Sequence, residues 1–274
     1  MHPLLLEHAG LSLEVRLYQV LFLLAIVVSL WIGPRWVEKL EGIEARRVRR
    51  ALFVLAVPVL VGGRLHFIVN HWSLFAHRPL AALAFWSGGL HAGGALIALA
   101  IVAPLVLRRF GIPLARFADG FAPTLGLGVA VARLGCFAEG CCFGRVCAWP
   151  WCMRFPRATY IYDFHASQGL LPPGAEHTAP IHPLQLYFAG VGLLVMVLSL
   201  WLHPCRRYPG EVGLVALVVL SVGAAVLEPL RADAFPRAYW GPLPQLEWTA
   251  LAMTAASLGL LAMAELSHRR ARGG

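Results

Sequence analysis

Thirteen residues, "RLGCFAEGCCFGR" from Arg133 to Arg145, hold three cysteines, one glutamate and two arginines. They follow an apolar run, "FAPTLGLGVAVA". Three chemistries suit such a segment: a disulfide knot, a thiolate metal site, or an arginine site for a charged lipid headgroup. The full cysteine pattern is C-x4-C-C-x4-C-x4-C, through Cys136, Cys141, Cys142, Cys147 and Cys152. Zinc sites read from sequence carry pairs at C-x2–4-C, which this pattern lacks. His165, His177 and His182 could add ligands, but their spacing does not require it. A structural disulfide among these five is therefore the first expectation, and no metal or other cofactor is expected. Five is an odd number, so at least one stays free or pairs between chains. Cys205 stands apart and reads as an inert thiol.

Ionisable residues interrupt other apolar runs: Arg64 in "VGGRLHF", His91 in "SGGLHAGG", Asp119 and Arg133 at the two ends of one run, and Glu228 with Arg231 in "VLEPLR". Charges at membrane depth are costly and usually mark function. Arginine forks phosphate bidentately, and histidine can take a proton near neutral pH. Glu228 and Arg231, at i and i+3, share a helical face. The bland alternatives are that Arg64 and Arg231 snorkel to the interface, that Asp119 caps the start of its own helix, and that His91 is a packed residue. Glycines 88, 89, 93 and 94 around His91 permit close approach of backbone or lipid, or serve helix packing.

The elements that must hold these residues follow from composition. Of 274 residues 59% are hydrophobic and 14% charged, with mean hydropathy +0.69. That excess is too large for a soluble core, so a soluble α/β enzyme is excluded and an all-α polytopic membrane protein is expected. The net charge of +9 belongs to loops, not to nucleic-acid binding. Seven stretches can span: Leu17–Gly33, Ala51–Val69, Gly88–Leu107, Asp119–Cys136, Pro183–Leu202, Val212–Leu230 and Leu246–Ala264. Arg35, Lys39, Arg46, Arg47, Arg49, Arg50, Arg108, Arg109, Arg116, Arg206, Arg207, Arg269, Arg270 and Arg272 fall on one side and outnumber those on the other. The positive-inside rule puts that side in the cytoplasm. The N-terminus is then outside, the C-terminus inside, and the loop at about 137–182 faces outward from a single integral-membrane domain spanning 1–274. All the interrupting charges except Asp119 then sit at outer headgroup depth. The first sixteen residues lack a basic start and a small-residue cleavage site, so no cleavable leader is expected. No internal repeat is visible, which argues against an inverted-repeat transporter.

The motifs, in order, resemble the prolipoprotein diacylglyceryl transferase family. "VGGRLHFIVNHW" resembles its GxRLGYVLFYN segment, "FWSGGLHAGG" its WxGGMSFHGG segment, and "DGFAPTLGLGVAVARLGCFAEGCCFGR" its most specific motif, DxxAPxxxLGxxxGRxGNFxNGExxGR. "IHPLQLYFAG" resembles RHPxQLYExxxEG, "VLEPLRAD" resembles RFxxExxRxPD, and "RLYQV" with Tyr18 is similar to an early RWYGL. The resemblance implies a bacterial inner-membrane enzyme that moves a diacylglyceryl group from phosphatidylglycerol to the lipobox cysteine of a prolipoprotein signal peptide. Its partners would be these two and the surrounding membrane lipids. By position it implies a catalytic set of His91, Arg133 and Glu228. The lipid-binding set would be Arg133, Arg64, Arg231, Tyr18, Glu139 and Gly144. The structural set is Asp119, Cys136, Cys141, Cys142, Cys147 and Cys152. Here Cys136, Glu139 and Cys141 stand where the family motif has asparagine, asparagine and glutamate. Ala224 replaces an arginine and Phe188 an acid. The rival readings are a membrane thiol oxidoreductase using the outer cysteines, an inactive lipid-binding paralogue, and a transporter or receptor.

Overall fold

The computed structural model describes residues 4–6, 15–76, 79–84, 89–157, 159–232, 239–240 and 243–273. Gly88, Arg78, Arg237 and most of residues 1–14 lie outside the described residues.

Helix α1 (Leu17–Val27) runs through one π turn (Val28–Ile32) into α2 (Gly33–Glu41). Pro34 follows directly on this turn, and its missing N–H and its ring would disturb a regular α-helix there. The widened turn absorbs the change of pitch. The first helix therefore extends eight residues beyond the expected Gly33, to a stop at Gly42, whose φ is +68°. There follow α3 (Ala45–Asn70), a short α4 (Trp72–Ala76), α5 (Ala92–Arg109), α6 (Leu114–Glu139), α7 (Tyr160–Ser167), α8 (Leu184–Leu202), α9 (Glu211–Leu227) and α10 (Gln245–Gly273). Arg46 to Arg50, expected in a loop, form the first turns of α3. Two short antiparallel strand pairs, Leu4–Leu6 with Val15–Arg16 and Tyr239–Trp240 with Leu243–Pro244, and 3-10 turns at Pro79–Leu83, His203–Cys205 and Glu228–Leu230 complete the described elements.

Among the described residues six helices are long and apolar enough to cross a membrane: Leu17–Glu41, Ala45–Asn70, Leu114–Glu139, Leu184–Cys205, Glu211–Leu230 and Glu247–Ala271. Helix α5 is 18 residues long and packs along α3. Large apolar side chains such as Leu23, Val57, Leu105, Val197 and Met263 point away from the bundle. A water-soluble surface does not carry so much exposed apolar area.

Helix α6 is the central element, in contact with α1, α2, α8 and α9. Its backbone nearly touches that of α8. A Cβ on Gly126 would stand 2.5 Å from the Gly192 carbonyl oxygen, and one on Gly192 would stand 2.6 Å from the Gly126 oxygen. Small residues permit this approach, which suits helix pairs that have no hydrophobic drive between them. Ala122, Val195, Val212 and Ala216 fill the adjoining space among α6, α8 and α9.

Charged groups lock one end of the bundle. Glu41 ends α2 with its side chain fully buried. It accepts from Arg116 Nε at 3.0 Å, from Arg206 Nη2 at 3.0 Å and faces His203 Nε2 at 2.7 Å. Arg206 also reaches Asp119 Oδ2 at 3.1 Å. Asp119 does not cap its own helix, which starts five residues earlier at Leu114. It accepts instead from the backbone N–H of Gly210 at 2.7 Å and of Gly213 at 2.9 Å. These belong to the first turn of α9, so Asp119 satisfies donors left open at a neighbouring helix start.

Two outcomes follow. Gly192→Val is expected to prevent a stable detergent-extracted monomer, whereas Gly190→Val, at a position with nothing within 4 Å, is expected to extract normally. Equal extraction of both would contradict the close approach. Asp119→Ala leaves the Gly210 and Gly213 N–H groups without their acceptor, and Arg206 with Glu41 as its remaining carboxylate, and is expected to cost ~3 kcal/mol. A thermal unfolding curve that does not move would remove that role.

Candidate active site

The opposite end of the bundle gathers most of the residues singled out from sequence. Helix α6 ends at Glu139, and Gly140 follows with φ +76°. The Gly140 N–H donates to Cys136 O at 3.0 Å and the Cys141 N–H donates to the same oxygen at 3.1 Å. This is a Schellman cap, whose geometry folds the residue after the glycine over the fourth residue before it. Those two residues are Cys141 and Cys136. Cys142 follows with φ +55°, a left-handed backbone that costs a non-glycine residue about 1 kcal/mol. The sulfur atoms of Cys136, Cys141 and Cys142 all come within 4.8 Å of one another. Hydrogen bonding with the Cys136 and Cys141 thiols, with Arg231 and Arg133 nearby, holds the Cys142 thiol below its usual pKa. Hydrogen bonding with Cys136 and Cys142, with burial, pushes the Cys141 thiol up.

The chain then turns into an extended segment that docks on the end of α9. The Arg145 N–H donates to Leu230 O at 2.8 Å, and Ala232 N–H to Phe143 O at 3.0 Å. Gly144 lies opposite Arg231 on this pairing and against the His182 backbone, where a Cβ would meet the His182 carbonyl oxygen at 2.7 Å. Gly144 thus sets the approach that brings Arg231 to the thiols. Arg231 Nη2 donates to Cys142 Sγ at 3.5 Å, and its Nη1 lies 3.7 Å from Glu228 Oε2. The i to i+3 pair is as expected, although it sits on a 3-10 turn, Glu228–Leu230, started by Pro229. Arg133 lies over the Phe188 ring at 4.3 Å, a cation–π contact at the position where the family motif carries an acid. Tyr18 is within electrostatic range of Cys136, Cys141, Cys142 and Glu139. Gln185, wholly buried, donates to Cys141 O at 2.7 Å and pins the turn from α8.

His91 stands in a second group. It is the residue before α5, with its N–H on Gly63 O at 3.0 Å. Its ring meets those of His66 at 5.2 Å, His71 at 5.7 Å and Phe67 at 5.6 Å between centroids. His66 and His71 lie at the end of α3 and were not singled out from sequence, although His-x4-His before a glycine-flanked histidine is a readable spacing. Helices α3 and α6 both run away from the charged lock, so this group shares the bundle end with the thiols.

Arg64 differs from expectation. It is 3% exposed and donates to three backbone carbonyls: Ala82 at 3.0 Å, Ala81 at 2.7 Å and Gly89 at 3.2 Å. Its guanidinium ties the Ala81 and Ala82 carbonyls to that of Gly89, two residues before His91, where backbone carbonyls need donors that a membrane does not supply.

The expected disulfide is found at Cys147–Cys152, with Cα atoms 6.1 Å apart across the turn closed by Cys152 N–H to Trp149 O at 3.0 Å. Cys136, Cys141 and Cys142, grouped with it from sequence, remain thiols. The reason is local: the helix cap gathers these three with one another and away from the hairpin that joins the other two. Phe143, Phe155, Ile161 and Ile181 form a small core under this loop, each worth about 1.5–3 kcal/mol of burial.

The site therefore combines two guanidinium groups, a carboxylate, a phenol and three thiols at one end of an apolar bundle, which suits an anionic headgroup and sulfur chemistry. Comparison with known proteins identifies the family. The family model described as prolipoprotein diacylglyceryl transferase matches residues 5–263. A phosphatidylglycerol–prolipoprotein diacylglyceryl transferase of Ralstonia pickettii is 30% identical over 97% of this chain and 94% of its own. Proteins of the same name from Gloeobacter violaceus (29%, over 98% of this chain and 94% of its own) and Bordetella avium (28%, over 94% and 92%) are similarly matched. The chain belongs to the prolipoprotein diacylglyceryl transferase family.

Proposed function

We propose that the chain transfers a diacylglyceryl group from phosphatidylglycerol to the lipobox cysteine thiol of a prolipoprotein signal peptide and releases glycerol phosphate. The observation that carries this reading is that Arg231 reaches the thiol-lined turn at the end of α6, the helix whose last turns carry Arg133 over Phe188. The names of the matched relatives support it. Helix α5 is taken as the third of seven spans. The basic residues Arg35 to Arg50, Arg206 and Arg207 then face the cytoplasm, with both the C-terminus and the charged lock on that side. The thiols, the histidine group and the disulfide loop face outward from the inner membrane, with the N-terminus.

In this mechanism the acceptor sulfur attacks the glyceryl carbon bonded to the phosphate ester oxygen, and that C–O bond breaks. Arg133 and Arg231 neutralise the departing phosphate, a stabilisation that grows as charge develops on the leaving oxygen. Glu228 orients Arg231 across 3.7 Å. His91, with His66 and His71 beside it, takes the thiol proton or orients the acceptor. Tyr18, Glu139 and Gly144 shape the headgroup site, while Arg64 holds the turn that carries His91. Lipid tails enter sideways between helices and the signal peptide from the outer leaflet.

In a bacterium depleted of its own diacylglyceryl transferase, the wild type is expected to restore growth, and Arg133→Ala to lower transfer about 100-fold. Full complementation by Arg133→Ala would remove the phosphate role. The oxidoreductase alternative makes a different forecast for thiol labelling. On the transferase reading only Cys147 and Cys152 gain label after reductant. Reductant-dependent labelling of Cys141 or Cys142 would favour redox cycling instead.

A further inference from the structure

We propose that Cys136, Cys141 and Cys142 form a three-thiolate site for a zinc(II) ion whose fourth coordination position receives the acceptor thiol. The ion site stands on geometry alone; the identity of the fourth ligand rests on the transfer reading above.

The three sulfur atoms lie within 4.8 Å of one another. A tetrahedral zinc with bonds of about 2.3 Å separates its sulfur ligands by about 3.8 Å, so small side-chain rotations complete the site. The backbone is already committed to this arrangement. The cap bond from Cys141 N–H to Cys136 O, 3.1 Å, fixes two ligands over one another. The Cys141 carbonyl is held by buried Gln185 at 2.7 Å. The left-handed Cys142 adds the third sulfur to the same cluster.

Three protein ligands and one open position is the pattern of a catalytic zinc, whereas structural sites are closed by four. Three thiolates and Zn(II) carry one net negative charge. Arg231 donates to Cys142 Sγ at 3.5 Å, and Arg133 stands one helical turn before Cys136 on α6. Those cations offset the charge and would hold the lipid phosphate beside the ion.

The chemistry explains why thiols suit a place where the family motif has amide and acid groups. A thiol that binds zinc is deprotonated outright. The acceptor S–H gives its proton to water or to the histidine group on binding. The zinc-bound sulfur then donates a pair to the glyceryl carbon as the C–O bond breaks and its electron pair leaves with glycerol phosphate. The neutral thioether is a weaker ligand and departs. Zinc keeps its oxidation state throughout, so no oxidant or reductant is needed.

The test is metal analysis of the purified full-length protein under reducing conditions, followed by cobalt(II) replacement. One zinc per chain is expected, with zinc content at least tenfold lower in Cys142→Ser and Cys136→Ser. Cys205→Ser, at an exposed position, is expected to retain it. A thermal unfolding transition in each variant shows that the loss is not misfolding. The cobalt form is expected to show sulfur-to-cobalt charge transfer, changed by a lipobox peptide and unchanged by its serine version. Wild type that transfers lipid without bound metal overturns the zinc site and leaves the transferase reading intact. Zinc retained by Cys142→Ser in full, or a Cys136–Cys141 disulfide in active protein, also overturns it. A peptide that leaves the cobalt spectrum unchanged overturns the fourth ligand. Stoichiometric zinc in a protein that transfers no lipid would support the ion site and refute the transfer reading.

Discussion

The near-contact of the α6 and α8 backbones at Gly126 and Gly192 is the constraint on which the rest of the structure depends. Helix α6 carries Asp119 near one end and Arg133 with Cys136 near the other, about 21 Å apart along the axis for Asp119 to Arg133. Helix α8 brings Gln185 to the Cys141 carbonyl and Phe188 to Arg133. Displacing either helix by the width of a methyl group would move the aromatic platform from under the guanidinium. It would also release the turn that gathers the thiols. A membrane offers no hydrophobic drive to pull these helices together, so the contact rests on close packing between small residues.

The two ends of the bundle use charge differently. At the lock, Glu41, Asp119, Arg116 and Arg206 satisfy one another and the first N–H groups of α9. That is a closed network, and closed networks rigidify. At the other end Arg133 meets a ring rather than a carboxylate. A cation held by a ring keeps its donors for a phosphate, whereas an ion pair would engage some of them. Arg231 is held more firmly, between Glu228 and Cys142. Arg133 thus presents its donors from a ring platform, while Arg231 presents its own from a guanidinium oriented by Glu228.

The helical, membrane-spanning character was legible because composition and run length suffice for it. Helix ends were less so: Pro34 reads as a stop, yet a π turn carries the helix on to Glu41. Arg133, Glu228 and Arg231 were legible because a charge in an apolar run is conspicuous. Arg64 was conspicuous for the same reason, but its partners are backbone carbonyls, which have no sequence signal. The thiol cluster could have been read from Gly140. A glycine that ends a helix brings the residue after it over the fourth residue before it, and here both are cysteines. Zinc spacing rules do not cover that geometry. Asp119 was legible as a cap, but the helix it caps lies ninety residues on and is reached only through tertiary packing.

The most direct measurement of the central claim is mass analysis of a synthetic lipobox peptide incubated with the purified protein in phosphatidylglycerol bilayers. A peptide that gains one diacylglyceryl group on its cysteine, matched by released glycerol phosphate, is the predicted result. A folded wild-type protein that leaves the peptide unmodified would contradict it.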